Sequence, residues 1–227
     1  LTEKPRSIWL RSERSGRGPV PEYGRTQIAS AAIEIADESG LEAVSTRKVA
    51  ARIGASATSL YRYVSSRDEL LELMLDTSCA TLDLTAPLIG DWRRDLIELA
   101  EQLRGLYRRH RWLLDLAQGQ PSLTPNVVLL MERALAAMAP LDVPGGTKLE
   151  AFAIMNGIVA SVTRLEISSG QSNQAWQKAQ VEFLASAVSD GEHPHLSAAF
   201  ASPAVEGDAD MLHRVLPRVL AGVLGID

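Results

Sequence analysis

Ser45-Thr46-Arg47-Lys48-Val49-Ala50-Ala51-Arg52-Ile53-Gly54-Ala55-Ser56-Ala57-Thr58-Ser59-Leu60-Tyr61-Arg62-Tyr63-Val64 is the stretch that decides the fold. It reads as two short helices joined by a glycine turn, the arrangement that lays a helix in the major groove of DNA. Ser45 and Ser56 stand where helix N-caps belong, each with a hydroxyl to accept from an unpaired backbone N–H. Ala50 permits a close helix crossing, and Gly54 takes a left-handed conformation at low cost. Val49, Ile53, Leu60 and Val64 fall on the inward faces. From Ser45 to Arg67 there are five basic residues (Arg47, Lys48, Arg52, Arg62, Arg67) and no acidic one.

That bias stands against an acidic chain of 227 residues with a formal net charge of -5. Residues 1–70 hold 11 Lys/Arg against 9 Asp/Glu, whereas residues 71–227 hold 12 against 19. An acidic body with a basic end suits a protein that touches nucleic acid at one end only. The content of 46% hydrophobic and 22% charged residues is that of an ordinary soluble globular protein. Few aromatics with many alanines and leucines favour helix. The single Cys79 excludes an internal disulfide and points to a reducing, cytoplasmic setting. No run of about 18 apolar residues suggests a membrane span, and the early arginines flank no apolar signal core.

The pattern divides the chain into residues 1–21, a flexible basic arm; residues 22–82, a DNA-binding unit; and residues 83–227, a larger helical unit. In the arm, Arg14 and Arg17 sit beside Gly16 and Gly18 and could reach phosphates or a minor groove. From Tyr23, Ile28, Ala32, Ile35 and Ala36 recur at helical spacing until Gly40. Ser66-Arg67-Asp68-Glu69 opens a fourth helix as a capping box, with Leu70, Leu71, Met74 and Leu75 inward and its end near Leu82. After Pro87, Gly90 and Asp91, an amphipathic helix runs from about Trp92 to His110 with Leu96, Leu99, Leu103 and Leu106 on one face. A short helix follows to Gln118. Thr124-Pro125 then starts another in the favoured order of cap and first-turn proline. The most apolar helix, about Lys148 to Ser168, belongs at the centre or at an interface. Helices near 174–190 and 208–224 complete an all-α reading with no strand pattern.

The run Leu41 to Gly54, followed by Leu60-Tyr61-Arg62-Tyr63-Val64 and Arg67-Asp68-Glu69-Leu70-Leu71, closely resembles the tetracycline-repressor (TetR) family over about residues 23–80. Arg111-Trp112-Leu113-Leu114 and the later helices look like the C-terminal domain of the same family. The resemblance implies a homodimeric, all-helical regulator, usually a repressor. Two heads would enter successive major grooves of a palindromic operator, and the body would hold a small-molecule pocket and a dimer interface made by its last long helices. Effector binding would shift the separation of the heads, a population shift between two states.

Residue roles follow from both sources. Thr58, Ser59, Arg62 and Tyr63 face outward on the third helix and Tyr61 lies at its margin. Thr58 and Ser59 are small enough to approach base edges or a thymine methyl, and Arg62 reads guanine bidentately or sits on a phosphate. The family pattern implies backbone contacts at Tyr61, Tyr63 and Arg67, with packing against the first helix as the competing role for Tyr61. Thr46 and Arg47 begin the second helix, where backbone donors and the helix dipole favour a phosphate. For the ligand, Leu103, Tyr107, Trp112, Leu116, Met131, Phe152, Met155, Asn156 and Val159 are candidates for an apolar cavity wall or for plain core. Asn156, a polar group on an apolar helix, bonds a ligand, a dimer mate or a backbone carbonyl.

No catalytic constellation is present. His110, His193, His195 and His213 are scattered, His193-Pro194-His195 has no matching ligand cluster for zinc, and no phosphate loop occurs. The expectation is therefore a regulator, not an enzyme, without cofactor or metal, bound to operator DNA and to a small effector. The alternative keeps the same DNA-binding head on an activator or partner-controlled regulator that has no small ligand.

Overall fold

The computed structural model describes residues 7–11, 23–117, 122–171, 174–189, 191–202 and 210–226. All regular structure among them is helical. The head comprises α1 (Arg25–Ser39), α2 (Thr46–Arg52), α3 (Ala57–Leu60) and α4 (Arg67–Cys79). The body comprises α5 (Trp92–Arg109), α6 (Leu113–Leu116), α7 (Pro125–Ala137), α8 (Gly145–Gln171), α9 (Gln174–Ser189), α10 (Pro194–Ala201) and α11 (Met211–Leu224).

The head's caps form as their residue types require. Ser45 Oγ accepts from Lys48 N at 3.3 Å, Ser56 Oγ from Ser59 N at 3.1 Å and Ser66 Oγ from Glu69 N at 3.1 Å. Gly54 has φ +72, and beside it Ala55 N returns to Ala50 O at 2.9 Å, closing the end of α2 with a bond across the turn. Ile28, Ala32, Ile35, Val49, Leu60, Val64, Leu70 and Met74 are buried together.

Three expectations change. The reciprocal half of the capping box goes one residue earlier: Glu69 Oε2 accepts from Ser65 N at 2.8 Å, because Glu69 also reaches Arg11 at 2.6 Å. Leu73, not Leu71, joins Leu70 and Met74 in the core, while Leu71 and Leu75 are half-buried. Part of the supposed arm is docked. Ile8 is fully buried in a 3-10 turn (Ile8–Leu10), Trp9 Nε1 donates to Glu72 at 3.1 Å, and Arg25 donates to Arg11 O at 3.1 Å. One aliphatic side chain and an indole supply enough apolar burial to hold that segment on α4. Arg14 and Arg17 lie outside the described residues.

In the body, α5 buries Leu96, Leu99, Leu103 and Leu106 as its periodicity requires. Thr124 caps α7 through Val127 N at 3.4 Å, ahead of the proline at its first position. α8 packs on α5, α7 and α11, so it is the body's central helix, although by length and composition it could cross a membrane.

Candidate nucleic-acid interface

The helix-turn-helix presents its polar side chains outward on a rigid base. α3 is a single helical turn, and the chain continues as a tight turn through Tyr61, Arg62 and Tyr63, held by Tyr63 N to Leu60 O and Val64 N to Leu60 O at 2.9 Å each. Arg47, Lys48, Thr58, Tyr61 and Arg62 are exposed, and Thr46, Ser59 and Tyr63 are half-buried. Thr46 Oγ1 donates to the Tyr61 hydroxyl at 3.4 Å, joining the start of α2 to the end of α3. Ser59 Oγ lies 2.8 Å from Ser56 Oγ, so its hydroxyl is already partnered at the α3 cap.

The basic residues separate into two kinds. Arg52 bridges to α1, with Nη2 at 2.6 Å from Glu38 and Nη1 at 3.2 Å from Glu34. Its hydrogen bond to Glu38 holds that carboxyl below the usual range and raises the guanidinium's own pKa. Arg67 donates to Val44 O at 2.5 Å and Leu41 O at 2.9 Å, satisfying carbonyls in the connection between α1 and α2. These two arginines build the head. Arg47, Lys48 and Arg62 make no ion pair or side-chain hydrogen bond among the described residues, so their charges remain available to a polyanion. Sequence spacing could not separate the groups, because the partners of Arg52 lie on a different helix.

The head is tied to the body at two carboxylates that sequence reasoning did not single out. Asp37 of α1 accepts from His110 Nδ1 at 2.9 Å and from Trp112 Nε1 at 2.9 Å. Asp76 of α4 accepts from Asn126 N at 2.7 Å and Asn126 Nδ2 at 2.9 Å at the start of α7. No local periodicity signals either contact.

The candidate ligand residues divide in the same way. Leu103, Tyr107, Trp112, Met155 and Val159 are buried, while Leu116, Met131, Phe152 and Asn156 are half-buried. Burial pushes the Tyr107 hydroxyl up to about 12. Asn156 Nδ2 donates to Phe152 O at 2.9 Å, the backbone option among its three. Two open clefts of about 630 and 530 Å3 border the body, and of these nine residues only Trp112 lines either. Near the first cleft, Glu101, Asp210 and His213 bring potential ligand atoms within 4.8 Å of one another. Arg104 pairs there with both Glu101 and Asp210, so a fixed cation already engages both carboxylates.

Comparison with known proteins decides the family. Residues 28–74 match the family described as bacterial regulatory proteins, tetR family, and residues 86–225 match the tetracyclin repressor-like C-terminal domain. The chain belongs to the TetR family. Among TetR-type relatives, it is 33% identical to the HTH-type transcriptional repressor DrrR1 of Streptomyces coeruleorubidus over 95% of this chain and 83% of that protein. It is 33% identical to an HTH-type transcriptional regulator of Saccharopolyspora erythraea, over 90% of this chain and 85% of the other. The TetR family protein ActR of Streptomyces coelicolor, solved in complex with actinorhodin, superposes with a TM-score of 0.74 at 25% identity, covering 91% of this chain and 97% of ActR. The chain is thus a DNA-binding transcriptional regulator of a family that acts as dimers.

Proposed function

We propose that this protein is a homodimeric repressor that holds a palindromic operator and leaves it when a small apolar molecule binds the body. The observation that carries the DNA reading is the outward set Arg47, Lys48, Thr58 and Arg62 on a head whose other arginines are spent internally. Ligand response is supported by ActR, which was solved in complex with actinorhodin and, at 26% identity and a TM-score of 0.71, with (S)-DNPA. Dimerisation is supported by α8, whose Leu149, Ala153, Gly157, Ser161 and Leu165 form an exposed row at every fourth residue. The small residues in that row let a second helix approach closely, and Gly157 has open space beside it.

The test is a footprint and gel shift on DNA upstream of the protein's own gene over a range of salt, with and without actinorhodin or (S)-DNPA. Sequence-specific, salt-dependent protection by a dimer supports the reading, and its absence overturns it. Within that assay Arg62→Ala relaxes preference at one base pair if Arg62 reads a base, at about 1–3 kcal/mol. Uniform weakening makes Arg62 a phosphate contact instead.

A second reading is favoured by the close packing of Leu103, Met155 and Val159: the same head, controlled by a protein partner or acting as an activator without a small ligand. A thermal-shift screen separates the two. A ligand at 100 times its Kd stabilises by about 2.7 kcal/mol.

A further inference from the structure

The second cleft, about 530 Å3, lies between head and body. Ala36, Asp37, Gly40 and Leu41 form one wall, and residues around the α5–α6 junction and the end of α8 form the other. That volume falls within the roughly 300–1,000 Å3 of small-molecule sites. Its apolar lining comes from Leu41, Trp112, Leu114 and Ile167, and its charged lining is Arg109, Arg111 and Arg164 with the carboxylates Asp37 and Asp115.

The charges at this rim are not equivalent. Arg164 is occupied, donating to Leu114 O at 2.5 Å and lying 3.4 Å from Asp115. Asp37 is likewise filled by His110 and Trp112. Arg108, next along α5, pairs with Glu166 at 2.7 Å. Arg109 and Arg111 remain exposed, with no ion pair or side-chain hydrogen bond among the described residues. The negative end of the α5 dipole gives a structural reason for a basic residue at 109. Arg111 lies beyond the helix end and has no such reason. In a body with an acidic excess, two guanidiniums without a side-chain partner beside a cleft lined by Leu41 and Ile167 suit a negative charge carried on an apolar frame.

We propose that this cleft binds a small aromatic anion, a carboxylate or sulfonate, with Arg109 and Arg111 on the charged group and Leu41 and Ile167 against the ring system. The site is separate from the body core invoked above. Because its walls come from both head and body, its occupancy is linked to the placement of the head and, reciprocally, to DNA binding.

The full-length protein is titrated with 8-anilinonaphthalene-1-sulfonate and, in parallel, with its uncharged relative N-phenyl-1-naphthylamine, both followed by fluorescence. Saturable sulfonate binding is expected in the wild type. The double variant Arg109→Gln/Arg111→Gln weakens the sulfonate by about tenfold or more while leaving the neutral probe unchanged. Ile167→Trp, which fills the cleft and keeps both cations, weakens the sulfonate too and decides the matter if the double variant does not fold. Adding a DNA fragment that the protein binds shifts the wild-type sulfonate affinity. Three results overturn the site: no saturable sulfonate binding by the wild type, equal sulfonate affinity in wild type and both variants, or equal loss of both probes in the double variant.

Discussion

The Trp112 indole of the body donates to the Asp37 carboxylate of the head at 2.9 Å, and His110 Nδ1 donates to the same carboxylate at 2.9 Å. A carboxylate cannot donate in return, so this geometry places the imidazole hydrogen on Nδ1. With Asp76 and Asn126 as a second tie, any change in the body that moves α6 or α7 is felt by α1 and α4. The proposed ligand response requires such a coupling between head and body.

Removing the first tie leaves a buried indole N–H without its acceptor. Asp37→Ala is expected to cost about 1–3 kcal/mol of stability, read from urea or thermal unfolding. It is also expected to alter operator affinity without touching the DNA face. Unchanged stability together with unchanged affinity would remove Asp37 from the coupling.

Arg67→Ala separates brace from DNA contact. The brace role predicts lower stability, because Val44 O and Leu41 O lose a charged donor worth about 1.5–3 kcal/mol each at most. It also predicts a slope of log affinity against log salt close to that of wild type. A direct phosphate contact lowers that slope by about one unit, with little loss of stability.

Acid sensitivity follows from the partly buried Asp210 and Glu69, two of the carboxyls held below their ordinary range. Burial opposes ionisation of Asp210, but the Leu212 N–H and Arg104 outweigh it; for Glu69, burial is outweighed by Ser65 and Arg11. In the unfolded chain both return to ordinary carboxylate values, so there the chain binds more protons. Their contribution is present above that ordinary range and is lost as pH falls through the depressed folded values. Glu72, raised by burial despite its bond from Trp9, has the opposite sign and loses its contribution as pH rises. Asp210→Asn should lower stability at neutral pH and flatten the acid limb of a plot of Tm against pH. An acid limb identical to wild type contradicts the assignment.

Cys79 reports on the packing between head and body. Burial and the nearby Asp76 push its thiol up to about 12, and it is 3% exposed. Labelling by an aromatic disulfide near pH 8 should therefore wait for opening of the α4 region and accelerate steeply with urea. Rapid stoichiometric labelling of the folded protein would contradict that burial.

Much of this molecule was legible because its signals are local. The caps Ser45, Ser56, Ser66 and Thr124 act within three residues, and the α5 leucines repeat with the helical period, so element type and most inward faces could be read directly. The exposure of Thr58 and Arg62 also agreed with the helical wheel, although Arg62 stands in the turn after α3 and Ser59 and Tyr63, read as outward, are half-buried. What misled was local chemistry that acquired a distant partner: Glu69 turned to Ser65 with Arg11 on its other oxygen, and Ile8 proved to be core rather than arm.

By itself the sequence determined an all-helical regulator with a basic DNA-reading head on an acidic body, since periodicity, capping and charge sign are properties of neighbouring residues. Only the tertiary structure showed that Arg52 and Arg67 are engaged within the head while Arg47, Lys48 and Arg62 are not. It also placed Asn156 on its own helix's backbone and joined Asp37 to Trp112 across the two domains. The arginine and Asp37 outcomes depend on which groups meet across 14 to 75 residues of chain, and a hydrogen bond falls off within a fraction of an ångström. Spacing along the chain carries no information at that precision.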